Sequence, residues 1–421
     1  LGRAEAALAA GNRDKALRLA EEIVAEAPDS EDAYIARYLE KRVDAVPVKP
    51  GTIGLLLPMS GRYAAVGEQV QAAVELGYRK GGGKARFEVV DAGETAEDAV
   101  KALETLVLQK GAVAVVGPLR SDIADEVVRA ANALRVPIVG LHQAVGTTEE
   151  RPWAFQGMVN PAQQAQALAE YVTTAREMKA FAIFAPDSAY GHTAAEAFQA
   201  AVEGLGGSIK VTTFYDDEAT SVIPFAKELG RKDYKARRWE FEKLKEEAEE
   251  KGGNPDRVVL PPVIDYDAIF LPDNARRIPI ACAGLAYEEF PVGEFQTTKD
   301  GDTIPLLGLS GWNRQTVVQN GGPYVRGAIF TDIYLPTDDG ADAFAERFRQ
   351  ETGRTPSVLE VAAHDTGTLV ARASAEKPTT REGFRDALAG ASAEGSTWRS
   401  APSSAKTGRS RVGSAPSMLT G

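Results

Sequence analysis

The sequence lacks the features that mark several classes of protein. It has one cysteine in 421 residues, so Cys282 can form no internal disulfide and no cysteine-based metal cluster is available. The three histidines, His142, His192 and His364, lie far apart and match no metal-binding spacing. No apolar run reaches the roughly 18 residues that a transmembrane helix needs. These absences exclude a disulfide scaffold and a membrane-spanning segment, and they predict no metal site.

Positive charge is also scarce. Lysine and arginine number 48 against 60 aspartates and glutamates, which gives a formal net charge of -12. A general nucleic-acid partner is therefore excluded, because no basic excess is present to neutralise phosphates. No G-x-x-x-x-G-K-[ST] phosphate loop occurs and no G-x-G-x-x-G follows the first predicted strand, so no cofactor is predicted. The length and the hydrophobic fraction of 44% are typical of a globular protein with two or three domains.

Catalytic groups are missing in the same way. Ser310 lies in "GLSGW", which lacks the second glycine of the G-x-S-x-G nucleophile elbow, and no histidine is close to it in the sequence. Acidic pairs such as Asp216-Asp217 fall in predicted turns, where solvation is more usual than acid–base chemistry. An α/β protein of this size without a catalytic constellation is typical of a binding protein. No catalytic residue is predicted, and a hydrolase that uses Ser310 is kept only as an alternative.

Helical periodicity occupies the start of the chain. Residues 1–42 are rich in alanine, leucine and glutamate, and they predict two or three short helices that resemble a tetratricopeptide-like helical hairpin. Ser30 or Asp29 is the expected N-cap of the last helix. Residues 43–51 contain two prolines and a glycine, so they predict a linker.

From residue 52 onward, predicted strands alternate with predicted helices. The strand candidates are "TIGLLLP", "ARFEVVDAG", "VAVVGPL", "PIVGLH", "FAIFAPD", "SIKVTTFYD", "YDAIFLPD" and "IPLLGLS". Short apolar strands separated by helices predict βαβ units and parallel sheets, and eight strands fit two α/β lobes better than one. Residues 226–252 are dense in charges of both signs and predict a solvated helix that lies over one lobe.

Several of these segments resemble one family in the same order. "LLPMSGRYAAVGEQVQAAVELGYRKGGG", "AVAVVGPLRSDIADEVVRAANALRVPIVGLHQA", "FAIFAPDSAYGHTAAEAFQAAVEGLGGSI" and "PSVLEVAAHDTGTLVARA" are similar to type I periplasmic solute-binding proteins, which include the leucine/isoleucine/valine-binding proteins. The resemblance implies two parallel-sheet α/β lobes that are joined by three crossovers and close on a ligand in the cleft between them. Lobe one would comprise 52–158 and 331–395, and lobe two 159–330 and 396–421.

The resemblance also implies a function. The chain would be a non-enzymatic solute-binding protein that is periplasmic or otherwise extracytoplasmic. It would capture an amino acid or a similar small carboxylate and present it to an inner-membrane ABC permease. Attachment to a membrane through a lipidated segment that precedes Leu1 is a further expectation.

By this resemblance, the ligand contacts of lobe one lie in the loops after its first, third and fourth strands. These candidates are Ser60, Tyr63, Arg120, Ser121, His142, Gln143 and Ala144. Amides and hydroxyls at helix N-termini suit a carboxylate, because donors and the helix dipole converge there. Two alternatives stay open: Ser121 caps the helix that follows it, and His142 is a solvent-exposed loop residue.

The candidates of lobe two are Tyr190, Asp273, Asn274, Ser310 and Trp312. Tyr190 matches the aromatic residue that covers the ligand in the family, and packing at the start of a helix is its alternative. Asp273 and Asn274 match polar ligand groups, with a turn as the alternative. Ser310 stands where amino-acid binders usually have a carboxylate for the ligand ammonium. Either Asp273 replaces that carboxylate, or the ligand is not a free amino acid.

A second resemblance is to lipoprotein activators of penicillin-binding proteins. That group pairs tetratricopeptide-like helices with two lobes of the same fold, and the charged segment at 226–252 is similar to it. In this alternative the chain is a scaffold that activates a peptidoglycan synthase by protein contact. The serine- and glycine-rich tail from residue 391 predicts disorder or loose packing.

Overall fold

The computed structural model describes residues 1–144, 146–148, 151–294, 303–333, 341–391 and 412–414. The chain forms two compact units, which we call lobe one and lobe two. Lobe one lies within Leu1–Asn160 and Pro336–Gly408, and lobe two within Pro161–Leu335 and Arg409–Gly421. The domain boundaries that the sequence analysis gives stay predictions. In the described residues, no helix is both long enough and apolar enough to cross a membrane.

Residues 1–43 form three helices: α1 (Gly2–Ala9), α2 (Arg13–Glu26) and α3 (Glu31–Val43). The Ser30 hydroxyl accepts a hydrogen bond from the amide of Ala33 at 3.1 Å, which confirms Ser30 as the N-cap. Buried alanines and Leu39 form a small core between these helices. The segment is therefore a three-helix unit, one helix more than a hairpin.

This helical segment packs on the rest of lobe one. Glu5 is 7% exposed, and its carboxylate pairs with Arg42 at 2.7 Å and with Arg135 at 3.1 Å. Arg129 pairs with Glu31 at 2.6 Å and lies over the ring of Tyr34, 3.8 Å from its centroid. Ion pairs and apolar contacts together join the segment to the lobe.

Lobe one has a five-stranded parallel sheet in the order β2-β1-β3-β4-β5. Its strands are β1 (Lys49–Leu57), β2 (Arg86–Asp91), β3 (Ala112–Val116), β4 (Ile138–Gly140) and β5 (Ala154–Gln156). Its further helices are α4 (Ala64–Lys80), α5 (Ala96–Glu104), α6 (Ala124–Leu134), α13 (Ala341–Thr352), α14 (Val358–Ala375) and α15 (Arg381–Gly390). Strand β1 begins inside the predicted linker, because Lys49 already pairs with Ala112.

The late helix α14 packs closely on α4. A Cβ atom on Gly77 would lie 1.9 Å from the carbonyl oxygen of His364, and one on Gly367 would lie 2.1 Å from that of Val74. Two glycines thus allow the two backbones to approach, and His364 is buried within this contact.

Lobe two has a six-stranded sheet in the order β11-β10-β9-β8-β6-β7, in which only β11 is antiparallel. Its strands are β6 (Ala180–Pro186), β7 (Ser208–Tyr215), β8 (Ala268–Phe270), β9 (Leu306–Gly308), β10 (Ile329–Thr331) and β11 (Val412–Ser414). Its helices are α7 (Pro161–Thr174), α8 (Ala189–Gly204), α9 (Ile223–Leu229), α10 (Arg238–Glu250), α11 (Ile278–Tyr287) and α12 (Gln315–Gly321).

Two predictions about lobe two need correction or lie outside the described residues. The charged segment 226–252 is two helices rather than one, because the chain turns after α9, where Arg231 has a φ of 48°. Of the tail from residue 392 onward, only 412–414 lies in the described part, so the prediction of a loosely packed tail falls outside it. The predicted fold class, two parallel-sheet α/β lobes, is confirmed.

Candidate functional site

Each sheet has a point at which the order of its strands reverses. In lobe one, β2 lies on one side of β1 and β3 lies on the other. In lobe two, β7 and β8 flank β6 in the same way. Loops at the carboxyl ends of the two strands beside such a point diverge and leave a crevice where ligands bind in open α/β sheets. The loops after β1 and β3, and those after β6 and β8, are therefore the first places to look.

The first strand of each lobe is connected to the helix that follows it in the same way. A Cβ atom on Gly67, in the first turn of α4, would lie 2.0 Å from the carbonyl oxygen of Pro58. A Cβ atom on Gly191, in the first turn of α8, would also lie 2.0 Å from that of Pro186. A glycine is thus needed at each position so that the helix can begin against the end of the strand.

In lobe one, Ser60 is exposed in the loop after β1 and donates to the carboxylate of Asp91 at the end of β2. The amides of Met59 and Gly93 donate to the same carboxylate at 2.9 and 3.1 Å. Burial of Asp91 opposes its ionisation, but these hydrogen bonds outweigh burial and hold the pKa of Asp91 below its ordinary value. Asp91 therefore orders the Ser60 loop.

Arg120 has its donors committed to the protein. Its Nε and Nη2 atoms donate to Asp122, and its Nη1 atom donates to the carbonyl oxygen of Glu94 at 2.7 Å. The ring of Tyr63 is exposed, and the guanidinium groups of Arg62 and Arg120 lie 4.7 and 5.7 Å from its centroid. Arg120 thus joins two loops and uses three of its five N–H donors within the protein.

Ser121 is not a helix cap. Neither the short turn Ser121–Ile123 nor α6 has a side-chain cap, so that alternative is wrong. Instead, the Ser121 hydroxyl accepts a hydrogen bond from the amide of Gln143 at 3.2 Å. This bond joins the loop after β3 to the loop after β4, where Ala144 is half-buried. The structure thus brings together the predicted residues Ser121, Gln143 and Ala144.

His142 is buried, not exposed as the alternative supposed. It is 1% exposed, and neither ring nitrogen has a hydrogen-bond partner among the described residues. Burial lowers the pKa of His142 to about 4, so the ring is neutral at physiological pH. The carbonyl oxygen of His142 accepts a hydrogen bond from the side chain of Gln156 at the end of β5. A neutral ring with unpaired nitrogens can both donate and accept at this edge.

In lobe two, the first turn of α8 carries Tyr190 and the loop after β8 carries Asp273. Tyr190 is half-buried and packs against the apolar core, so its packing alternative is realised. Burial and the nearby Asp273 carboxylate raise the pKa of Tyr190. Asp273 is 2% exposed and accepts a hydrogen bond from the Tyr215 hydroxyl at 2.6 Å. Burial raises the pKa of Asp273 in spite of that bond.

Asn274 forms a turn. Its side-chain oxygen accepts hydrogen bonds from the amides of Arg276 and Arg277 at 3.1 and 3.3 Å, immediately before α11. Its own amide and side-chain nitrogen donate to Asp273 at 2.6 and 2.9 Å. The turn alternative therefore accounts for Asn274, and together with Tyr215 it occupies most of the acceptor capacity of Asp273.

Ser310 and Trp312 follow β9. The amide of Ser310 donates to the side chain of Gln164 at 3.0 Å, which fixes the loop on α7. Trp312 is 4% exposed, and its indole N–H donates to the carbonyl oxygen of Leu271 at 2.9 Å. Its ring packs on Gly308, where a Cβ atom would lie 1.9 Å away. Trp312 is therefore committed to the core, which argues against its predicted ligand contact.

Sequence reasoning missed several polar residues at these edges. Asp91 and Gln156 end β2 and β5, Tyr215 ends β7, and Asp332, which is 4% exposed, follows β10 and bonds to Asn313. Their position at the carboxyl ends of predicted strands was a signal for Asp91 and Tyr215. In the described residues, no group of three or more His, Cys, Asp or Glu side chains is placed to hold a metal ion.

Comparisons with known proteins agree with this geometry. Residues 50–236 match the family model for periplasmic binding proteins. No curated protein gives a sequence match. An ABC transporter substrate-binding protein from Sphaerobacter thermophilus is 19% identical with a TM-score of 0.61, and the match covers 82% of this chain and 86% of that one.

Two further solved structures carry ligands. A branched-chain amino acid substrate-binding protein from Streptococcus pneumoniae in complex with isoleucine is 22% identical, with a TM-score of 0.52 and 82% and 88% of the two chains covered. A solute-binding protein from Rhodopseudomonas palustris in complex with 3,4-dihydroxybenzoic acid is 18% identical, with a TM-score of 0.54 and 81% and 84% covered. At these identities the similarity establishes the fold.

The family and these neighbours are ligand-binding proteins, in agreement with the prediction that the chain is not an enzyme. The alternative of a synthase-activating scaffold finds no support among them. The chain has the type I periplasmic binding protein fold over most of its length, and residues 50–236 match the sequence model of the periplasmic binding protein family.

Proposed function

We propose that this chain is an extracytoplasmic solute-binding protein that captures a small carboxylate-bearing solute, such as an amino acid, for an ABC-type permease. The observation that carries the proposal is the set of polar loops after β1, β3 and β4 of lobe one, of which the first two lie beside the strand-order reversal. Ser60, Ser121 and Gln143 occupy three such loops, and hydrogen bonds to Asp91 and between Ser121 and Gln143 hold them in place. The Ser121 hydroxyl accepts from Gln143 and so keeps its own proton for a ligand, and a polar group that is held in place at a crevice favours a polar ligand.

The comparisons support both the location and the ligand class. The periplasmic family and the transporter-associated neighbours are consistent with work outside the cytoplasm. Isoleucine and 3,4-dihydroxybenzoic acid, the ligands of two neighbours, are both carboxylic acids, but only isoleucine has an ammonium group. The panel of test solutes therefore needs both kinds.

The state of Asp273 bears on that choice. An amino acid in a closed site needs an anion near its ammonium, because an uncompensated buried charge is costly. Asp273 is buried, its pKa is raised, and Tyr215 and Asn274 already donate to it. Among the predicted residues of lobe two, Asp273 is therefore a poor partner for an ammonium. We accordingly include carboxylates without an amino group.

Thermal unfolding tests the proposal. Ligand-stripped chain is unfolded with leucine, aspartate and phenylalanine, and with the matched acids 4-methylpentanoate, succinate and 3-phenylpropanoate. A ligand at 100 times its Kd stabilises the folded state by about 2.7 kcal/mol, because it binds only that state. We expect a shift with one chemical class. Absence of a shift with every member, from chain that is shown to be folded and free of ligand, would refute solute binding of this kind.

A further inference from the structure

The helix α10, in the charged insertion of lobe two, is poorly supported by its own lobe. None of its residues is buried. Its main neighbour is the short turn Pro255–Arg257. The ring of Phe241 meets that of Tyr234 edge-on at 4.8 Å, and the Tyr234 hydroxyl accepts from the amide of Leu260 at 3.2 Å. Short isolated helices are marginal in water, so packing of only one half-buried face is unusual for a helix of this length.

Two faces of α10 can be separated. One face is half-buried and packs toward the rest of the insertion; it carries Phe241, Leu244, Lys245 and Ala248, and the half-buried Glu240 and Glu247 lie at its margin. The opposite face, which we call the outer face, is exposed and comprises Trp239, Glu242, Lys243, Glu246 and Glu250. These five positions share one side of a helix with 3.6 residues per turn. Trp239 is 79% exposed there, more than any other large hydrophobic residue in the described part of the chain.

The outer face is acidic around its indole ring. Lys243 is its only base, and the ammonium of Lys243 lies 3.8 Å from Glu247 and 5.8 Å from the Trp239 ring. The three glutamates of the outer face form no ion pair with a described residue. The outer face therefore has an apolar anchor, Trp239, surrounded by a rim of unpaired carboxylates. Tryptophan is enriched among the residues that contribute most to binding at protein interfaces.

We infer that the outer face of α10 docks a partner protein whose contact surface combines an apolar pocket for Trp239 with basic side chains. Charge complementarity decides against a second copy of this chain. Two copies would bring like-charged outer faces together, and the whole chain has a formal net charge of -12. A basic partner instead offsets the three glutamates and gains speed of association from the opposite charge. The inference is independent of the solute-binding proposal.

The test begins in the cells that make the protein. The photo-crosslinking residue p-benzoylphenylalanine replaces Trp239 in the full chain, and in a matched chain it replaces Leu205, an exposed residue of the same lobe (40% exposed). After irradiation, adducts are identified by mass spectrometry. The captured protein is then purified, and its Kd for the native chain is measured at several salt concentrations from roughly 50 to 300 mM. Salt progressively screens surface charges over this range.

Two variants and one control decide the outcome. Trp239→Ala removes the anchor, and a triple change, Glu242→Gln, Glu246→Gln and Glu250→Gln, removes the rim. Glu21→Gln, Glu22→Gln and Glu26→Gln, on the exposed side of α2, remove the same charge elsewhere. All of these residues are exposed or form no core contact, so thermal unfolding should be unchanged. We expect a partner captured at position 239 alone, a Kd raised at least tenfold by Trp239→Ala, and a salt dependence weakened only by the α10 triple change.

Three results would overturn the inference. One is an adduct at position 239 no stronger than at position 205. Another is an adduct that contains two copies of this chain. The last is a purified partner whose Kd changes with neither α10 variant.

Discussion

The two lobes place their first three strands in the same order, and they differ in what lies around that common frame. In lobe one, the helices α1, α2 and α3 add a further layer. Among the described residues of this lobe, Tyr63 is the only large hydrophobic residue that is exposed. Lobe two has the α9–α10 insertion instead. Its described residues include seven exposed large hydrophobics: Leu205, Tyr234, Trp239, Val259, Ile280, Tyr287 and Val318.

This difference separates what the fold requires from what has been added to it. The glycine at the start of the helix after the first strand is common to both lobes, and so is the crevice beside that strand. The added segments are attached differently. Two partly solvated arginines, Arg129 and Arg135, pair with α3 and α1 and hold them to the rest of lobe one, whereas a buried ion pair, Lys232 with Glu288 at 3.1 Å, fastens the insertion to lobe two.

The largest expected effect comes from breaking that buried pair. Lys232 is 2% exposed and Glu288 is 5% exposed at the side chain. Glu288→Ala leaves the Lys232 ammonium without its nearest partner, and we expect a loss of about 3–5 kcal/mol, toward the lower end because Glu289 lies 4.0 Å away. In lobe one, Glu5→Ala removes the partner of Arg42 (13% exposed) and of Arg135 (36% exposed), and it should cost about 1–3 kcal/mol, because both guanidinium groups keep contact with solvent. Urea unfolding measures both, and a larger loss for Glu5→Ala would contradict the comparison.

The next effect tests the feature that the lobes share. Gly67→Ala and Gly191→Ala each place a Cβ atom 2.0 Å from a carbonyl oxygen. Each should destabilise the chain by about 1–3 kcal/mol or more, since backbone cannot yield cheaply. The control is Gly204→Ala near the end of α8, where a Cβ atom meets nothing within 4 Å. If either variant is as stable as the control in urea unfolding, the two strand ends are not built alike.

A smaller effect concerns the dependence of stability on pH. The pKa of Asp91 is lowered in the fold, so its contribution is present above the unfolded value of about 3.9 and is lost as pH falls through the folded value. The pKa of Asp273 is raised, so its contribution is present below about 3.9 and is lost as pH rises through the folded value.

Comparison of the native chain with Asp91→Asn and Asp273→Asn checks these signs. The free energy of unfolding is measured in urea from pH 3 to pH 7. The advantage of the native chain over Asp91→Asn should shrink toward acid, and its advantage over Asp273→Asn should grow. Slopes of the same sign for the two variants would be incompatible with the opposite environments of these carboxylates.

The smallest expected effect is on stability at the insertion. Trp239 is 79% exposed, so Trp239→Ala should change the free energy of unfolding by less than about 0.5 kcal/mol. Trp312 of the same lobe is 4% exposed and bonded to Leu271, so Trp312→Ala should cost about 3–5 kcal/mol. A large loss for Trp239→Ala would mean that the indole has a structural role, and it would remove the basis for the docking surface.

Much of the fold could be predicted from local pattern. The apolar runs of β1, which ends just before Pro58, and of β6, which ends at Pro186, lead into helices and identify both lobes. Strand β5, like the predicted β4, β8 and β9, is only three residues long, but it lies in "WAFQG" rather than in a longer apolar run, so no local pattern separates it from a loop. The packing of α1–α3 on lobe one depends on pairs such as Glu5 with Arg135, which are distant in sequence.

The candidate site was only partly predictable for a related reason. Position at a strand end identifies Ser121 and His142, but not which atoms their side chains meet. Ser121 has the residue type and position of a helix cap, yet its hydroxyl accepts a hydrogen bond from the amide of Gln143 in another loop. Trp312 follows a strand as a ligand residue would, but Gly308 leaves space for its ring in the core. Such outcomes depend on tertiary contacts that the local sequence does not contain.

The central claim is that the joined loops of lobe one bind a small solute. Calorimetric titration of the best solute from the thermal panel tests it, with the native chain, with Ser121→Ala, and with Glu21→Gln as a control on the exposed side of α2. Ser121→Ala removes the bond that joins the loops after β3 and β4, so we predict an affinity at least tenfold weaker with unchanged stoichiometry, and no change for the control. An affinity that Ser121→Ala leaves equal to that of the native chain would contradict the account.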